Sequence, residues 1–245
     1  MTRLFKVLDG RTPPIAGTAY RYPVGRWTEH LDPDTLRRCR VGYHVVPGEY
    51  LLGRLGHPDI YEATPCPDHE PLDFDTEVVT CRVRLRRLRW DETIARMFAA
   101  DCAEAALLGE QACGREPEQP LWHAVEVARR YARGEADREA LTAARYAAAD
   151  IAYAHASDVA AVKAAPPADD YDAAADAAAH AAHAVTADAT VYAAHAAAAA
   201  ADYASYAAAA SGAYAVPRSM LFRRLETYLD GLDPGPIEAL YRPRQ

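Results

Sequence analysis

Hydrophobic and polar positions change rhythm once along this chain. Up to about residue 89 the pattern is mixed and strand-rich. Leu4-Phe5-Lys6-Val7-Leu8 reads as a short strand, and Asp9-Gly10 behind it suits the positive backbone angles of a hairpin turn. Residues 42–46 and 59–63 predict further strands, and between them Tyr50, Leu51 and Leu55 fall on one face of a short helix over 49–55. From Val78 to Leu88 the alternation is regular: Val79, Cys81, Val83, Leu85 and Arg87 point one way, and Thr80, Arg82, Arg84 and Arg86 the other. It predicts one half-buried strand with a basic solvent face. Prolines and aspartates crowd residues 64–75, which predicts a loop.

At Trp90 the period becomes helical. Asp91 is placed to cap a helix whose core stripe runs Ile94, Met97, Phe98, Cys102, Ala105. A second helix is predicted from Leu121 to about Arg133, with Gly134 just beyond it as a natural left-handed terminator. Asp137 can cap a third, running to about Ala164. Pro166-Pro167 and Pro217 bracket a long helical stretch, and residues 218–229 form a last amphipathic helix with Met220, Leu221, Leu225, Tyr228 and Leu229 inward. The fold class expected is α+β. A small mixed, strand-rich domain occupies residues 1–89, and an Ala-rich antiparallel helical bundle residues 90–245.

Composition sharpens the second half. Of the 77 residues from Ala140 to Val216, 40 are alanine. Alanine is the strongest helix former but buries little area, so helices made of it must approach closely, backbone to backbone. Tyrosines would serve as wedges: Tyr192, Tyr203 and Tyr214 recur every eleven residues, and Tyr146 and Tyr153 are seven apart, so each set shares a helix face. The same Ala-rich faces could pair between chains, giving a homo-oligomer.

Charge and cysteine usage exclude several classes. A formal net charge of −8 lacks the clustered Lys and Arg that nucleic acid or an anionic membrane would require. No stretch approaches the ~18 bulky apolar residues of a membrane span, and the start has no leader-like apolar run. Cys39, Cys66, Cys81, Cys102 and Cys113 form an odd, widely spaced set with no C-x-x-C, so reduced thiols in a cytoplasmic protein are expected. No Gly-rich phosphate loop, G-x-S-x-G or H-E-x-x-H occurs, and no cofactor is expected.

Three groups of residues could carry chemistry. Asp172, Asp176, His180 and His183 lie at i, i+4, i+8 and i+11 on one helical face and are potential ligands for a divalent transition metal. Their spread of about 12 Å along the axis would require a donor from a second helix, His155 or His195. On the predicted strands, Tyr43, His44 and Glu62 offer an acid–base set, and Cys39 with His44 a nucleophile pair. Trp27, Cys39 and Tyr61 add an aromatic and thiol-bearing surface. The competing reading makes Tyr43 and Tyr61 core and His44 a hydrogen-bonded structural histidine. Asp101 and Glu104, one turn apart, could share a pocket, but an ion pair to Arg96, Arg129 or Arg130 is the stronger expectation.

Residues 94–104 (IARMFAADCAE) and 125–136 (VEVARRYARGEA), followed by the Ala-rich run, resemble a helical family of bacterial immunity proteins over about residues 90–215. Upstream, Trp27, Arg38-Cys39-Arg40-Val41-Gly42-Tyr43-His44 and Ile60-Tyr61-Glu62-Ala63 are similar to an uncharacterised domain that precedes such helices in bacterial and phage proteins. The resemblance implies a partner-binding role. Together with the charge and the absent catalytic motifs, it makes a non-enzymatic cytoplasmic factor that binds a basic protein partner the leading expectation. The alternative is an enzyme of nucleotide or ADP-ribosyl-transfer type, built on Tyr43, His44 and Glu62.

Overall fold

The computed structural model describes residues 3–13, 20–38, 40–55, 57–112, 116–148, 150 and 218–237. The chain is α+β, divided into two compact units, Met1–Trp90 and Asp91–Gln245.

The first unit is built on a six-stranded antiparallel sheet. Its strands are β1 (Leu4–Leu8), β2 (Tyr43–Pro47), β3 (Asp59–Pro65), β4 (Leu72–Phe74), β5 (Glu77–Thr80) and β6 (Val83–Arg87), in the spatial order β4-β5-β2-β1-β3-β6. Behind β1 the Asp9-Gly10 turn forms as its residues dictate. Gly10 and Arg11 both take positive φ, 55° and 78°, and Asp9 and Thr12 exchange backbone hydrogen bonds of 2.9 and 3.0 Å. The hairpin stops at that single bridge, because β1 spends its two edges on β2 and β3. The short helix between β2 and β3 is α1 (Gly48–Leu51), which tightens into a 3-10 turn at Leu52–Arg54 and leaves Leu51, Leu52 and Leu55 fully buried.

Two expectations are corrected in this unit. The long alternating strand over 78–88 is two strands: β5 pairs with β2 and β6 with β3, with only Cys81 and Arg82 between them. Three Cα steps reach at most about 11 Å, whereas β5 and β6 stand four strand spacings apart in the sheet order, roughly 19 Å if it were flat. The sheet therefore curls on itself toward a small barrel, and residues 77–87 act as one bent ribbon shared by both halves. Val78, Val83 and Leu85 all enter the same core, which strict alternation forbids, so the bend carries an extra residue, as a β-bulge does. The second correction concerns the loop at 64–75. It contains β4, which turns through Asp75-Thr76 to pair with β5. Each Pro in that stretch lies outside the β4 ladder, so the prolines do not interrupt it.

The curled sheet encloses Leu8, Tyr22, Tyr43, Val45, Tyr61, Ala63, and the bent ribbon's Val78, Val83 and Leu85. The open edge of β6 is covered by the chain at 24–28: Gly25 N–H donates to the Leu85 carbonyl (2.8 Å) and Thr28 N–H to that of Val83 (2.9 Å).

In the second unit α2 (Glu92–Ala112) begins where Asp91 Oδ1 accepts from Ile94 N–H at 2.8 Å. It packs on α3 (Gln119–Ala132) and on the last helix. Gly134 (φ 75°) ends α3 in a Schellman arrangement, with Gly134 N–H on the Tyr131 carbonyl and Glu135 N–H on that of Arg130. Asp137 caps the next helix, α4 (residues 138–148), through a 2.8 Å bond from Ala140 N–H, and Leu141, Ala144 and Ala148 are its buried positions. In α5 (Arg218–Leu229), Leu221, Leu225, Tyr228 and Leu229 are buried as the pattern predicted. The tyrosine series at 153, 192, 203 and 214 lies outside the described residues, and Tyr146 in α4 is exposed. Among the described residues no helix is long and apolar enough to cross a membrane.

Candidate functional site

The pleat of the sheet decides what the strand-borne candidates can do. Tyr43 and His44 are neighbours on β2, so their side chains leave opposite faces. Tyr43 enters the core, where its ring meets that of Tyr20 at a tilt and that of Tyr22 edge to face, at centroid distances of 5.7 and 5.8 Å, and its hydroxyl lies 3.4 Å from that of Tyr20. His44 takes the other face, its Nδ1 3.3 Å from Glu77 Oε2, while Arg38 Nε donates to Glu77 Oε1 at 3.0 Å. Glu62 sits on β3 with β1 between it and His44, at least two strand spacings or roughly 10 Å away. Its carboxylate accepts from Arg3 Nε (3.0 Å) and Arg86 Nε (2.8 Å). Burial works against the Glu62 charge, but the hydrogen bonds from Arg86 and Arg3 outweigh it and hold the carboxyl below its usual range. The structure therefore does not bring Tyr43, His44 and Glu62 together. Each has a separate partner set.

The basic face expected on the 78–88 strand is likewise engaged. Arg82 and Arg84 lie over the ring of Trp27, 5.5 and 5.3 Å from its centroid, Arg86 pairs with Glu62, and Arg87 Nη2 pairs with Asp59 Oδ1 at 2.5 Å. Trp27 is thus half-buried and in contact with two guanidinium groups. Tyr61 is core, and burial beside Asp59 raises its phenol. Cys39 lies outside the described residues, as do Asp172, Asp176, His180, His183, His155 and His195.

Lys6 gave no signal in the sequence beyond being the polar member of a strand. Opposite Tyr61 on β1, it turns into the tyrosine-lined side of the sheet. Its Nζ donates to the His44 carbonyl at 2.6 Å and stands 5.2 Å from the Tyr22 ring. Burial lowers its amine to about 8, Glu77 opposing and Arg54 adding to the shift. Burial also raises the phenols of Tyr20 and Tyr22, so the aromatic neighbours stay neutral beside it.

In the second unit the acidic pair on α2 forms a buried ionic hub. Arg129 Nη2 on α3 donates to Asp101 Oδ1 (2.6 Å) and to Glu104. Asp101 Oδ2 accepts from Arg224 and, at 2.7 Å, from the Tyr228 hydroxyl, both on α5. Arg224 continues to the Gly235 carbonyl (2.7 Å), tying down the chain after α5. The expected ion pair to Arg129 is present. Arg224 and Tyr228 were invisible to a search by helix spacing because they come from a helix more than a hundred residues away.

A third cluster joins residues that sequence spacing kept apart. The ligand-capable atoms of His30, Cys66 and Cys81 all lie within 4.8 Å of one another. Backbone pairing sets all three: Leu31 N–H donates to the Cys81 carbonyl (2.9 Å), and Cys66 N–H to that of Arg82 (3.0 Å). The two thiols are buried against Leu36 and Val79, with Trp27, Leu31 and Phe74 packed around them. Burial and the neighbouring Cys66 push the Cys81 thiol up. His30 is exposed, its ring 5.7 Å from that of His69, and the Cys66 thiol donates to Asp68 Oδ2 at 3.4 Å. The available sequence signal was Cys66-Pro67-Asp68-His69, a C-x-x-H spacing that a search for C-x-x-C passes over.

No family model, curated protein or solved structure matches this chain.

Proposed function

We propose that the chain is a non-enzymatic, cytoplasmic protein-interaction factor of the immunity or phage-associated kind, whose Ala-rich antiparallel bundle presents an acidic surface to a basic protein partner. The observation that carries this reading is the partition of charge between the units. Residues 1–90 hold 14 Lys and Arg against 12 Asp and Glu, a net of +2, whereas residues 91–245 hold 13 against 23, a net of −10. From Ile151 to Pro217 there are seven aspartates and one lysine. An excess of negative charge on one unit would draw a basic partner to it under long-range attraction. The ion pairing of Glu62, and its separation from His44, supports this reading over the enzymatic one.

The test uses the tagged full chain to capture its partner from native lysate, followed by reconstitution of the purified pair. A basic partner whose association rate falls steeply with added salt, and which no longer binds when the seven aspartates are changed to asparagine, is the expected outcome. Salt-insensitive association would overturn the reading. So would a thermal shift with NAD or a nucleotide that His44→Ala abolishes.

A further inference from the structure

We propose that Cys66, Cys81 and His30, with His69 closing the fourth position, form a Zn²⁺ site at the bulge of the bent ribbon. Three protein segments converge there: the end of β3, the Cys81–Arg82 bulge and the strip at 27–31 that covers β6. Adjacent backbone ladders fix all three, so the donors are held before any ion arrives. Their mutual separation, within 4.8 Å, is compatible with one tetrahedral ion having Zn–S bonds of about 2.3 Å and Zn–N bonds of about 2.0 Å, after shifts of side-chain torsions alone. The donor set selects the metal: two thiolates with imidazole suit zinc and do not suit magnesium or calcium.

The polarity of the surroundings fits the same assignment. Cys66 and Cys81 are 3% and 1% exposed and lie among apolar side chains, whereas His30 and His69 are exposed, on the side where an ion would enter. His69 follows Cys66 at i+3 through a turn at Pro67-Asp68, the short spacing by which a turn delivers two ligands to one ion. Asp68 accepts a hydrogen bond from the Cys66 thiol at 3.4 Å. Binding would release both thiol protons and tie the strip at 27–31 to β3 and the bulge, so metal affinity would become stability of the first unit.

The full chain, reduced and stripped with chelator, is titrated with Co²⁺ and separately with Zn²⁺. One equivalent of Co²⁺ should give intense tetrahedral d–d bands in the visible and thiolate-to-cobalt charge transfer in the near ultraviolet, both displaced by Zn²⁺. The charge-transfer band separates this site from histidine and aspartate elsewhere in the chain. Cys66→Ser and Cys81→Ser should abolish it, His30→Ala and His69→Ala should weaken binding by about tenfold or more, and Cys102→Ser should leave it unchanged. The unaltered chain should also melt at higher temperature with one equivalent of Zn²⁺ and not with Mg²⁺. Absence of the charge-transfer band in the unaltered chain, its persistence in the Cys66→Ser/Cys81→Ser double variant, or no shift in melting with Zn²⁺ would overturn the proposal.

Discussion

Arg224 in α5 and Asp101 in the middle of α2 are 123 residues apart in the chain and form a buried ion pair, with Asp101 only 1% exposed. The same carboxylate receives Arg129 from α3 and the Tyr228 hydroxyl from α5, so one side chain joins three helices. Asp101→Ala leaves two guanidinium groups facing a vacated buried position and should cost about 3–5 kcal/mol in urea denaturation. The double variant Asp101→Ala/Arg224→Met should lose less than the sum of the two single variants, since much of each loss is the stranded charge. Additive single effects would show that the pair is not energetically joined.

Lys6 should titrate near 8, measurable by NMR of the ¹³C-methylated amine. Its folded-state value lies below the 10.5 of the unfolded chain, so between these two values the unfolded state binds more protons and stability rises with pH. The full rise is roughly 3 kcal/mol on a per-unit basis. Lys6→Met should remove that slope between about pH 8 and 10.5, and an unchanged slope would assign it elsewhere.

Glu62 has the opposite sign. Its folded-state value is depressed below 4.5, so its contribution is complete above that pH and is lost as pH falls through the folded-state value. Both arginine partners are partly solvated, which limits the contribution to about 1 kcal/mol. Glu62→Gln should therefore lower the melting temperature at pH 7 and have a smaller effect near pH 3.

Gly42 precedes β2 with φ 133°, and a Cβ there would lie 2.3 Å from Val79 Cγ1. Val79 is fully buried and has no room to withdraw. Gly42→Ala should cost about 2 kcal/mol or more through strain and overpacking. Pairing Gly42→Ala with Val79→Ala should recover part of that loss in thermal melts.

The elements that could be read from the sequence are those whose causes are local. β1, β2 and β3 show as short runs rich in aromatic and branched apolar residues, and the helix limits at Asp91, Gly134 and Asp137 depend on residues within a turn of each boundary. β4 was hidden because Leu72–Phe74 is short and sits among Pro and Asp; its pairing with β5 is what makes it a strand. The bulge was hidden because alternation across 78–88 continues in sequence while the chain changes partners at Cys81. Sites proved harder than elements. Tyr43, His44 and Glu62 are close in strand pattern yet parted by the pleat and by β1, whereas His30, Cys66 and Cys81 meet only through three-dimensional pairing. Asp101 and Arg129 could be matched by charge and helix position, but nothing local pointed to Arg224.

The bent ribbon also locks register. Because β5 and β6 are two halves of one piece of chain, aligning Tyr43 with Thr80 on one side dictates that Ala63 meets Leu85 on the other. Neither half can slip by one residue alone, since a slip turns every side chain to the opposite face. Straightening the bend into a regular strand with Cys81 and Arg82 both kept would force that choice, expelling either Val78 or the Val83 and Leu85 pair from the interior. The two residues at the bend thus work as a gauge block, setting the phase of one half of the sheet from that of the other.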